Sequence, residues 1–210
     1  MYDFIADLDE YFCEKYANYD KLCILPGYKM PMMQATELRE DGRTYSYTLP
    51  ANTMRLAKQE KKTALLAELK SRMTDVTFSF SFKPINIFRR MKNVFSKYGF
   101  YKNLKKILAK YGVTEAAALE NLKITEEIWT GICKNKFLPS KNLIYSLALT
   151  SHFSFEDTRA LLALCDYEID YANVKDVVLS YLLQEKVYNS AMIEAALNEY
   201  KLGNLFIAGV

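Results

Sequence analysis

The sequence predicts an α+β fold that is mostly helical. Residues 1–95 read as a small N-terminal part with a few antiparallel strands and helices. Residues 96–210 read as an all-α five-helix, helix-turn-helix-like domain followed by two further helices. Three observations predict this. Beyond Phe100, apolar residues recur at three- and four-residue steps between hydroxyl residues suited to capping helices. Before residue 83, helical spacing alternates with short strand-like runs, one ended by a Pro-Gly pair and one preceded by Asp-Gly. Half of the 210 residues are hydrophobic and a quarter charged, with 16 Tyr and 12 Phe, which suits a packed core and excludes a disordered chain.

In the N-terminal part, Phe4, Ile5, Leu8, Phe12 and Tyr16 share one face of a helix over 2–17, with Asp7, Glu10 and Glu14 facing away. Residues 21–28 read as a short strand ended by Pro26-Gly27. Thr44 to Leu49 alternates as a half-buried strand, and Asp41-Gly42 before it makes a hairpin. Helical spacing returns over 50–73 through Leu56, Leu65, Leu66 and Leu69. Val76, Phe78, Phe80 and Phe82 form a strand face that a helix of the same part is expected to cover.

In the C-terminal part a first helix, Tyr101–Tyr111, turns Leu104, Ile107 and Leu108 inward and stops at Gly112. Thr114 caps a second and Thr125 a third, which carries Trp129. Asn135-Lys136-Phe137-Leu138-Pro139 breaks the chain, and Ser140 caps a fourth helix. Ser154 to Asp157 has the spacing of a capping box and opens a fifth. That order over residues 100–167 resembles the DNA-binding domain of the lambda-repressor-like (XRE) family. Gly112 to Leu119 approximates its second-helix start, Ile124-Thr125 its third, and Asn135 to Ser140 its following loop. The tail from Val174 to Tyr200 is similar to a two-helix extension that follows such domains.

The resemblance implies a bacterial or phage regulatory protein that places its third helix in the major groove of DNA. Its base-facing positions here are Thr125, Glu126, Glu127 and Thr130. Two adjacent carboxylates make a poor reader beside phosphates, and they suit the positive end of their own helix. Lys134, Lys136 and Lys141 are the candidates for backbone contact. Charge supplies the other half of the expected site. From Lys83 to Gly112 the chain has nine bases and no acid, whereas 154–199 has nine acids against three bases. Arg89, Arg90, Lys92, Lys97, Lys102, Lys105 and Lys106 are therefore expected to contact phosphates. The alternative is an adaptor that keeps the fold without reading DNA and binds a protein partner or a second copy of itself.

Other classes find no support in the residues. Cys13, Cys23, Cys133 and Cys165 are scattered, and His152 is the single histidine, so neither a metal site nor a cofactor is implied. His152 reads as a helix C-terminal cap. No nucleophile or phosphate-loop motif occurs, and a non-enzymatic protein is expected. No apolar run reaches the ~18 residues of a membrane span, and the acidic N-terminus is unlike a signal peptide. A cytoplasmic location is expected.

Overall fold

A computed structural model of the chain describes residues 3–16, 34–38, 44–48, 66–67, 69–71, 83–84, 99–203 and 205–207. Among these the protein is mostly helical. β1 (Gln34–Leu38) pairs antiparallel with β2 (Thr44–Thr48), Leu38 opposite Thr44. The two-residue β3 (Lys83–Pro84) pairs with β4 (Phe137–Leu138). No larger sheet forms among the described residues. The α+β expectation therefore narrows, for these residues, to a helical protein with two short ladders. The strands predicted over 21–28 and 76–82 lie outside the described residues, and so does most of the helix over 50–73, of which 66–67 and 69–71 are helical.

The helices are α1 (Phe4–Lys15), α2 (Phe100–Lys110), α3 (Glu115–Glu120), α4 (Glu126–Cys133), α5 (Lys141–Thr150), α6 (Phe155–Ala163), α7 (Val174–Gln184) and α8 (Ser190–Glu199). Their starts are where the capping residues put them. Thr114, Thr125, Ser140 and Ser154 each accept, through the side-chain oxygen, the backbone N–H three residues on, at 3.2–3.4 Å. Asn173 and Asn189 do the same for α7 and α8. Each such cap satisfies donors a helix cannot pair internally and contributes about 1 kcal/mol.

The stops share a second device. The chain enters the left-handed region at Gly112, Asn135, His152, Asp166, Lys186 and Lys201, with φ between 48° and 65°. After each, the next N–H reaches back five residues: Val113 to Leu108, Lys136 to Gly131, Phe153 to Ala148, Tyr167 to Leu162, Val187 to Leu182 and Leu202 to Leu197, at 2.7–3.0 Å. These are Schellman closures, and only one of the six uses glycine.

The core is built around α5 and α7. Every residue from Asn142 to Leu149 is buried, and so is every residue from Lys175 to Leu183. Helices apolar on nearly all sides belong in the middle of a bundle. The segment read as a trailing extension thus supplies the central helix. α1 packs against α7, with the Tyr11 hydroxyl 3.0 Å from Ser180 Oγ and its ring 5.3 Å from that of Tyr181. Phe12 meets Tyr200 at 4.8 Å. Lys70 Nζ bonds Asp9 at 2.7 Å and Glu199 at 2.6 Å, and the Tyr200 hydroxyl donates to Asp9 at 2.7 Å. A single apolar cluster accordingly contains Leu8, Phe12, Leu66 and Leu69 together with Val177, Leu179 and Leu197. The boundary predicted at residue 96 separates α1 in sequence from helices it touches in space.

The left-handed stops generate a prediction. A side chain with a Cβ costs about 1 kcal/mol there, and Lys186 is exposed. Lys186→Gly should raise the urea midpoint, a gain of roughly 0.5–1 kcal/mol. A lowered midpoint would mean that the lysine makes a compensating contact.

Candidate nucleic-acid interface

The α2 sequence has no acid, and its steps of three and four place Lys102, Lys105, Lys106 and Lys110 along one stripe. Leu104 and Leu108 face the core, and the four lysines are exposed. Two of them are partly neutralised. Lys110 bonds Asp157 at 2.7 Å, which raises the lysine pKa. Lys105 lies 3.9 Å from Glu115 and 4.8 Å above the Tyr101 ring. Among the described residues no ion pair involves Lys102 or Lys106. Like charges four residues apart repel by a few tenths of a kcal/mol, so this stripe favours an anion.

Glu115, at the first turn of α3, joins α2 to α4. It accepts the Trp129 indole N–H at 2.8 Å, the Tyr101 hydroxyl at 2.9 Å and the Cys133 thiol at 3.7 Å. Burial alone would raise the Glu115 pKa. The hydrogen bonds from Trp129 and Tyr101, with Lys105 nearby, outweigh it and hold the carboxyl below its usual range. Burial pushes the Cys133 thiol up to about 11, assisted by the same carboxylate, so Cys133 is a poor nucleophile near neutral pH. Trp129 is buried at 4% exposure, a core anchor and not a base contact. The sequence hid Glu115 as an ordinary helix-start acid.

The solvent side of α4 carries Thr125, Glu126, Glu127 and Thr130, all exposed. Thr125 is also the cap of the helix. Both flanks of α4 are engaged. Before it, Lys123 N–H bonds the Phe206 carbonyl at 2.9 Å and Leu122 bridges to Ile207. After it, Phe137 of β4 lies against Gly131 so closely that an added Cβ would come within 2.4 Å of the ring. Lys134 and Lys136 are exposed beside that turn. They follow α4, one of the two helices that Glu115 connects, and the other, α2, carries the lysine stripe.

One expected contact residue is placed elsewhere. Lys141, in the first turn of α5, is half-buried in an ion pair with Asp176 of α7, and Tyr145 donates to the same carboxylate at 3.1 Å. That lysine serves the interior. Arg89, Arg90, Lys92 and Lys97 lie outside the described residues. Among the described residues, no group of His, Cys, Asp and Glu could hold a metal ion. Cys13, Cys133 and Cys165 form no disulfide with one another, and among the described residues no helix is long and apolar enough to cross a membrane. His152 is the left-handed residue closing α5, stacked at 4.7 Å on Tyr188.

Compared with protein-family models, curated proteins and solved structures, the chain matches none. The helix-turn-helix likeness therefore rests on helix order and capping residues alone.

The Glu115 link carries a pH dependence. Its pKa is depressed on folding, so its stabilisation is present above the unfolded value of about 4.3 and is lost as pH falls through the folded value. Its side chain is 32% exposed, which limits the effect of Glu115→Gln at pH 7 to about 1–2 kcal/mol. Urea titrations should show the difference from the unsubstituted protein closing below roughly pH 4. A difference constant with pH would remove the carboxylate from this role.

Proposed function

We propose that this protein is a non-enzymatic regulator, acting in the cytoplasm, that binds DNA mainly through phosphate contacts. The observation that carries the reading is the exposed, acid-free lysine stripe of α2. Lys134 and Lys136 add charge beside α4, and Thr125 and Thr130 are the polar groups that α4 itself can offer. The pair Glu126 and Glu127 stands where an XRE-type domain would meet base edges. α4 thus takes a minor part in affinity, and sequence preference is weak. Arg89, Arg90, Lys92 and Lys97 extend the same basic run in sequence.

A second reading has its own observation. With both flanks of α4 held by the chain itself and its solvent face acidic, the fold also suits an adaptor that binds a protein partner. The two readings part in one measurement. For DNA binding, fluorescence anisotropy with any duplex should give a log–log salt slope of about −0.9 per phosphate contact. Replacing Lys102, Lys105 and Lys106 with Ala should flatten that slope by roughly three such units and weaken all duplexes alike. Glu126→Gln with Glu127→Gln should strengthen binding. No duplex binding at about 0.05 M salt would leave the adaptor reading in place.

A further inference from the structure

α6 and the segment that follows it enclose a groove of about 810 Å³, within the size range of ligand sites. Phe155, Leu162, Tyr167, Ile169 and Tyr171 line it with apolar and aromatic surface. Its charged lining is Glu156, Glu168 and Arg159. We propose that this groove binds the cationic side chain of a basic peptide, an arginine above all, against its aromatic rings and the carboxylates of Glu156 and Glu168.

The chain itself shows the mode. The Arg159 guanidinium sits 5.9 Å over the Phe155 ring, and its Nη1 lies 3.3 Å from Glu156. A cation over a ring with a carboxylate beside it is the arrangement a peptide arginine would adopt. Arg159 and Glu156 are 58% and 76% exposed, so water screens their pairing and a competing guanidinium can displace it. With Arg159 and Glu156 matched, Glu168 leaves the lining one negative charge in excess. That excess repels phosphates and attracts a cation. Asp166 and Asp170, in the segment that follows α6, are exposed acids of the same sign. None of the α2 lysines lines the groove, and the proposal stands whether or not those bind DNA.

The test is fluorescence anisotropy with a short fluorescein-labelled peptide of alternating arginine and alanine, in about 0.1 M salt. Saturable binding is expected. Glu156→Gln with Glu168→Gln should weaken it roughly fivefold or more, and Tyr167→Ala by a similar factor. Arg159→Ala should tighten it, because the internal competitor is gone. Lys102→Ala with Lys106→Ala should leave it unchanged. Should Tyr167→Ala unfold the chain, the two exposed Glu→Gln changes and Arg159→Ala still decide. Equal binding of a glutamate–alanine peptide would overturn the proposal, as would indifference to the Glu→Gln pair or weaker binding by Arg159→Ala.

Discussion

One carboxylate organises the helical core. Asp176, in the first turn of α7, is 3% exposed, and it takes the ammonium of Lys141, the Tyr145 hydroxyl at 3.1 Å and the backbone N–H of Asp170 at 2.7 Å. Two of these donors come from α5 and the third from the connection leading into α7. The two central helices and their link are thereby fixed relative to each other by a group that the helix N-terminus also favours. A buried charge is tolerated when it is paired and hydrogen-bonded, and Asp176 has one cation and two further donors. Apolar packing surrounds α5 and α7, and Asp176 ties the first turn of α7 to α5 and to the connection before it.

This arrangement determines which surfaces remain for function. With α5 and α7 enclosed, the exposed faces of α2, α4 and α6 carry the charge, and they differ in sign. α2 is basic and α4 opens on two carboxylates, while α6 borders an aromatic groove with acids at its edge. Lys141 illustrates the constraint. It follows a helix cap as a surface lysine would, but the Asp176 carboxylate draws it inward. α1 belongs to the same core, through Tyr11 and Ser180 and through the Lys70 bridge between Asp9 and Glu199.

Much of the helical order was legible in the sequence because capping is local chemistry. Thr114, Thr125, Ser140 and Ser154 each announce a helix start with a side chain that reaches only three residues. The inward face of α1 was equally legible from the spacing of Leu8 and Phe12. The stops were harder to read: Lys186 and Lys201 carry no signature of left-handed backbone, although backbone hydrogen bonds from the next residue close both turns. The role of α7 was hidden because burial on all sides erases the polar face that distinguishes an amphipathic helix. Glu115, Lys141 and Ile207 act through partners 14 to 85 residues away in sequence, a distance that periodicity does not span. The lysine stripe of α2 was visible as a run of charge, but its exposure came only with the fold.

The most direct test of the central claim is the urea unfolding free energy of Asp176→Ala. Removing the carboxylate leaves the Lys141 charge, the Tyr145 hydroxyl and the Asp170 N–H without their shared acceptor in the interior. A loss of about 3–5 kcal/mol is predicted, with the helical core loosening as a unit. A loss within about 0.5 kcal/mol, the usual range of a surface change, would contradict the account and place the organising contacts elsewhere in the bundle.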